Sequence, residues 1–292
     1  MGMLDFRKGE AFLAVIDSGS FDQAAAQLHL TPSAVSQRVS QLEMELGMTL
    51  VVRGKPCRAT QDGQRLLQYL RRARLLSEEF QADTREQPLR LALAVNHDTL
   101  ATWLLPGLAD FLARERLLLD LALDDQDHTY QLLAEGRALA AISTAAEPMR
   151  GGVVEALGRM RYRLLAAPAF AQRWFPKGLE REAARRAPLL VFDRKDSLQA
   201  RFLEQELGLP PGSVPCHYIP ASEPFARAIA LGIGYGMLPD QQVSTPLHDL
   251  APGRWIDVPL YWHAWRVQSP ALERLAAQVR ALARASLLPL GD

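Results

Sequence analysis

Two groups of polar residues have types and spacings that could do chemistry. The first lies between Thr31 and Leu46. At about 100° per residue, Val35, Val39, Leu42 and Leu46 share one narrow arc of a helix. Ser33, Gln37, Ser40 and Met44 lie on the opposite arc. The apolar arc packs inward, and the other presents hydrogen-bonding groups of the kind that pair with base edges in the major groove of DNA. Arg38, on the flank, suits a phosphate. The second group lies at strand ends. Asn96, Asp98 and Thr99 follow the run "LALAV", where ligands bind in open α/β sheets and where the N–H groups of a helix start favour a carboxylate. Asp98 reads equally as the cap of that helix. Asp124, Asp125 and Asp127 follow a second strand; a solvated turn is the commoner fate of such a run, yet Asp124 at a strand end can point into a cleft. Phe192, Asp193 and Asp196 end a further strand. Acids from two sides of a carboxylate site suit a zwitterion with an extra positive charge, an arginine or a lysine.

Other constellations carry less. His97-Asp98 with Ser222 lacks the G-x-S-x-G elbow of a serine hydrolase, and "GIGYG" (232–236) precedes a strand instead of opening a helix. No H-E-x-x-H or Walker A motif occurs. The two cysteines, Cys57 and Cys216, form no metal-ligand cluster, so neither a disulfide nor a zinc site is expected and the usage suits a reducing cytosol. No cofactor and no enzymatic activity are expected. The rival reading is a small-molecule-binding protein or enzyme with an accessory helical domain. It lacks a catalytic constellation. Trp103 and the cluster Tyr261, Trp262, His263 and Trp265 read as packing.

These residues need elements to hold them. With 292 residues and 48% hydrophobic composition, the chain has material for more than one domain. Net charge is zero, and residues 1–60 balance as well, so a DNA reading must rest on arrangement. Ser20 is an N-cap for a short helix carrying Phe21, Ala24, Ala25 and Leu28; a tight turn at His29-Leu30 follows, then Thr31 caps the second helix with Pro32 at its first position. "LVVRGKPCRAT" (50–60) reads as a wing with Arg53, Lys55 and Arg58. The same patterns also describe any small three-helix domain. Leu66, Leu70, Ala73, Leu76 and Phe80 mark a long helix closed by Pro88. Its stripe suits pairing with a second chain. Beyond it, strands (89–95, 116–125, 138–144, "YRLLAAP", "PLLVFD", "VPCHYIP", "GYGMLP") alternate with helices (99–115, near 128–137, 222–231), which implies a parallel α/β sheet. The N-terminus shows no signal-peptide core and no run is long enough to span a bilayer, so a cytoplasmic protein without membrane contact is expected.

The stretch "GSF..AA..L..T.SAVSQ....LE..LG..L..R", continued by "T..G..LL", resembles the N-terminal signature of LysR-type transcriptional regulators, without gaps. The resemblance implies an all-α winged helix-turn-helix over 1–60, a linker and dimerisation helix over 61–87, and a two-lobed α/β effector domain over 88–292. That domain would resemble periplasmic binding proteins, with lobe I at about 88–163 and 266–292 and lobe II at about 164–265. It implies that Ser33, Ser36 and Gln37 face bases and that Thr31, Arg38 and Arg53 face phosphates, with Ser20, Pro32 and Lys55 completing the DNA-facing set. Partners would be double-stranded promoter DNA, a small effector, a second copy in a dimer or tetramer, and RNA polymerase. "LALAVNHDTLATWLLPGL", "LPPGSVPCHYIPASEPF" and "LYWHAW" resemble the arginine- and lysine-responsive branch of that family, which commonly acts on a basic amino-acid exporter gene. That branch implies effector contacts at Asn96, Asp98, Thr99, Asp124, Thr144 and Ser222, with Phe192 and Asp193 as the second-lobe candidates.

Overall fold

The computed structural model describes residues 5–85, 88–123, 132–133, 137–149, 151–243, 245–266 and 268–290. They group into two compact units that divide near Gln87. In the first, α1 (Phe6–Ser18), α2 (Phe21–Leu28) and α3 (Pro32–Leu46) surround a core of Phe12, Val15, Val35, Val39, Leu42 and Leu50. Each large side chain buried there contributes about 1.5–3 kcal/mol. Each helix has its cap. Asp5 accepts from the Arg7 N–H at 2.9 Å, Ser20 from Asp22 at 3.2 Å and Thr31 from Ala34 at 3.2 Å. His29, left-handed at φ 54°, ends α2 and makes the turn into α3 compact. Strands β1 (Val51–Val52) and β2 (Arg58–Ala59) pair antiparallel as the wing. Glu43 ties α3 to that wing by accepting from the N–H groups of Leu50 and Val51 at 2.7 and 3.2 Å.

Helix α4 (Gln61–Arg85) starts inside this unit. Leu66, Leu67 and Leu70 join the head's core, whereas Tyr69, Leu76 and Phe80 are exposed, Phe80 by 71%. A boundary at residue 60 therefore cuts through a shared core, because the apolar stripe serves the head first. Gly63 shows how close the fit is: a Cβ there would lie 2.2 Å from the Leu50 carbonyl oxygen.

In the second unit, β3 (Leu89–Val95) lies parallel to β4 (Leu117–Leu123) and β5 (Ala140–Ser143). Two long strands, β6 (Gly152–Ala166) and β11 (Ile256–Trp265), pair antiparallel with each other, and β11 also pairs with β5. β9 (Gly236–Pro239) and β10 (His248–Asp249) add to β6. β7 (Leu189–Val191) and β8 (Cys216–Tyr218) form a small parallel sheet. After β3 come a single turn, α5 (His97–Thr99), a π-helical turn over Leu100–Leu104, and α6 (Leu105–Glu115). The other helices are α7 (Pro168–Trp174), α8 (Arg181–Arg186), α9 (Leu198–Leu207), α10 (Ser222–Ala230) and α11 (Pro270–Ser286).

The main sheet is mixed where the sequence pattern implies a parallel one, since β6, β9, β10 and β11 pair antiparallel; beyond this and the boundary at 60, the structure departs from the sequence expectation in two further places. β6 begins ten residues before the expected "YRLLAAP" strand. Arg159, Arg161 and Arg163 alternate with buried Met160, Tyr162 and Leu164, a period of two masked by its charge. Those arginines are paired: Arg159 and Arg161 with Asp257 on β11 at 3.1 and 2.9 Å, and Arg163 with Asp240, just after β9, at 2.7 Å. The second departure concerns the lobe boundary placed at 265, because Tyr261 to Ala264 pair with β5 and so complete the first lobe's sheet. The expected helix near 128–137 falls mostly outside the described residues; Leu132 and Leu133 are helical and buried. Among the described residues no helix is long and apolar enough to cross a membrane.

Candidate functional site

The first candidate surface is α3 and the wing. Val35, Val39 and Leu42 are fully buried, so the helix presents its other face outward. Ser33 and Gln37 are exposed and Ser36 half-buried. None of the three side chains has a hydrogen-bond partner among the described residues. Arg53, at the end of β1, donates to Ser40 Oγ at 3.2 Å and sits 5.3 Å from the centre of the Phe21 ring. Its charge is therefore held against α3. Thr31 and Ser20 are spent as caps, each leaving a backbone-organised helix start. Pro32, Arg38 and Lys55 lie on the same elements, Pro32 and Lys55 exposed and Arg38 half-buried.

The second candidate is a cleft of about 200 Å³ in the α/β unit. One wall comes from the carboxyl end of β3. Asn96, not Asp98, is the cap: its Oδ1 accepts from the Thr99 N–H at 2.7 Å. This frees Asp98, which accepts from Tyr162 Oη at 2.7 Å and from Ser222 Oγ at 2.6 Å. The Gln242 amide donates to Ser222 Oγ at 2.9 Å, extending the chain. Residues from α5, β6 and α10 thus meet at one carboxylate. Burial, then the Asp98 charge, pushes the Tyr162 hydroxyl well above its ordinary pKa and keeps it a donor.

The opposite wall comes from the loop before α9. Asp196 accepts from the N–H groups of Phe192 and Leu198 at 3.2 and 2.9 Å. Burial raises its pKa despite those bonds. Phe192 lines the cleft, its ring 4.9 Å from that of His97. Gln199 lines it too.

Of the effector contacts expected from sequence, the cleft therefore brings together Asn96, Asp98, Phe192 and Ser222. It does not bring in three others. Asp193 turns its carboxylate onto its own loop, accepting from the N–H groups of Lys195 and Asp196 at 2.7 and 2.9 Å, and faces a separate hollow beside Tyr218. Asp196, from the same loop, lines the cleft instead. Thr144, after β5, is half-buried and outside the lining. Thr99 is fully buried behind the wall, its hydroxyl without a partner among the described residues. Asp124 lies outside the described residues. Tyr162 and Gln199 are not legible from sequence. One sits in a strand whose charges hide its period, the other on a helix with no flanking signal.

Comparison with known proteins finds matches to both parts of the chain. Residues 6–64 match the model described as "Bacterial regulatory helix-turn-helix protein, lysR family", and residues 84–284 match the LysR substrate binding domain. The chain is 41% identical over 278 residues to the HTH-type transcriptional regulator ArgP of Klebsiella pneumoniae, covering 93% of this chain and 94% of that one. A crystal structure of ArgP from Mycobacterium tuberculosis superposes with a TM-score of 0.85 at 38% identity, covering 99% of this chain and all of that one. LysG from Corynebacterium glutamicum, solved with bound effector Arg, gives a TM-score of 0.81 at 34% identity over 98% of this chain and all of that one. A helix-turn-helix head followed by a two-lobed substrate-binding domain, matched along nearly the whole length, places this chain in the LysR family of bacterial transcriptional regulators.

Proposed function

We propose that this regulator reads promoter DNA with α3 and its wing, and that a basic amino acid, arginine or lysine, bound in the cleft controls that binding. One observation carries the ligand reading: two carboxylates from separate elements, Asp98 and Asp196, line one cleft. A cationic zwitterion neutralises such a pair, whereas an anionic or apolar ligand leaves it repelling. The arginine bound to the similar LysG supports the same class. Ser33, Ser36 and Gln37 would contact bases, and Arg38, Arg53 and Lys55 the phosphates. The exposed Tyr69, Leu76 and Phe80 of α4 suit pairing with a second copy. A ligand that binds one arrangement of the lobes better shifts the regulator toward it and so couples to DNA.

The test is calorimetry on the full chain with arginine, lysine and leucine, alongside binding to a promoter fragment with and without each. Arginine or lysine should bind at least about tenfold tighter than leucine, a gap of about 1.4 kcal/mol, and change DNA affinity or footprint. Equal binding of all three ends the ligand reading.

A further inference from the structure

Gln199 is the second residue of α9, is 2% exposed, and lines the cleft. Its Oε1 has no hydrogen-bond partner among the described residues. A buried carbonyl acceptor left unmade is costly, and such groups are paired as a rule. Its neighbours say what donor would complete it. Asp196 lies three residues earlier in the chain, and each of its carboxylate oxygens accepts one backbone N–H. Since a carboxylate oxygen has two lone pairs, each retains one. The wall beside them is aromatic: the Phe192 ring lies 4.9 Å from His97 and 6.5 Å from Phe225, tilted by 51° and 48°. Asp98, by contrast, is already held by Tyr162 and Ser222. Lys195 and Arg201 also line this end; both are exposed.

This end of the cleft therefore brings together a neutral acceptor, a carboxylate and the Phe192 ring. A guanidinium matches all three: it is planar, carries five N–H donors in a fixed fork, and stacks on aromatic rings. An ammonium is a compact point charge with three donors and no plane. We infer that Gln199 is the specificity-determining residue that makes the cleft prefer a guanidinium side chain to an ammonium one. The inference rests on the proposal that the ligand is a basic amino acid.

Calorimetry on the full-length protein with L-arginine, L-lysine and L-leucine tests it. The unsubstituted protein should prefer arginine to lysine by about tenfold or more. Gln199→Met, similar in shape but without the acceptor, should weaken arginine by roughly 10- to 100-fold, the range for losing a hydrogen bond to a charged group. Lysine should change less than about threefold, so the preference collapses. Gln199→Glu keeps an acceptor and should keep the preference; it decides the matter alone if the Met variant does not fold. Equal losses for both ligands in Gln199→Met, no loss in either, or a Glu variant without preference overturns the assignment and leaves the basic-ligand reading standing. Failure of the unsubstituted protein to favour either basic amino acid over leucine ends both, and is seen before any substitution.

Discussion

The DNA-facing helix and the ligand cleft solve opposite problems. On α3, the side chains assigned to bases are bonded to nothing among the described residues, while other residues carry the fold: Thr31 caps, Val35 and Val39 pack, and Glu43 holds the wing. In the cleft the same side chains do both jobs. Asp98 is a candidate ligand contact and also the point where Tyr162 and Ser222 converge, and Asn96 both lines the cleft and caps a helix. A surface that meets a large, rigid, preformed partner can leave its polar groups in water until contact. A site enclosing a small molecule must satisfy most of its buried polar groups with one another beforehand. Function and stability should therefore separate in the head and remain coupled in the cleft.

The sharpest way to break that contrast is Asp98→Ala. It leaves two hydroxyls without their acceptor. The loss of those two hydrogen bonds to a charged group should lower the Tm of the α/β unit by about 5 °C, and the loss of one of the cleft's two carboxylates together with the disordering of its wall should weaken binding of the basic amino acid by more than about 100-fold. Lost binding with unchanged melting would separate the two roles. Next comes Gln37→Ala, expected to weaken binding to the specific promoter by roughly 10- to 100-fold with nonspecific binding and Tm unaltered. Anisotropy on matched and scrambled duplexes reads the first, calorimetric melting the second. A Tm loss like that of Asp98→Ala would erase the distinction. Arg53→Ala should lower affinity for both duplexes by a similar factor of a few and reduce the slope of log K against log salt by about 1.

The smallest effect is in pH. Burial raises the Asp196 pKa, so the folded, ligand-free protein holds this proton more tightly than the unfolded chain. Its contribution favours folding at low pH and is lost as pH rises through the raised value. A bound cation needs the charged form. Arginine affinity should therefore drop a few-fold as pH falls from about 7 toward the ordinary aspartate range near 4. Asp196→Asn should flatten that dependence; an unchanged slope would show that another group titrates.

The same contrast explains what can be read from sequence. Periodicity places Val35, Val39 and Leu42 inward, and by subtraction Ser33 and Gln37 outward, because one helix holds both sets. No such local rule links Asp98 with Ser222 and Tyr162, which come from separate elements far apart in the chain. Asp98 as a mere cap is a reasonable alternative in the sequence, and only the Asn96 bond to Thr99 removes it. Asp193 looks the better candidate than Asp196 because it closely follows the strand; the tight loop turns it back on itself. β6 is only half legible because its alternating arginines look like a solvated segment until Asp257 and Asp240 are seen beside them.

The pairing of β11 with β5 has a consequence for how the molecule is made. Trp262 closes against Ile142, so the first lobe's sheet is finished by residues that follow the entire second lobe. During synthesis β3, β4 and β5 exist before their last neighbour has been translated, with the β5 edge open. Non-local pairing of this kind is slow, since the loop must close before the contact rewards it. If the intervening chain has already folded, β6 brings β11 to its register along ten paired residues, from Ile256 with Tyr162 to Trp265 with Gly152. The ligand-binding lobes then mature in the reverse of their chain order, the inserted one first, and an unfinished copy presents a bare strand edge until the end.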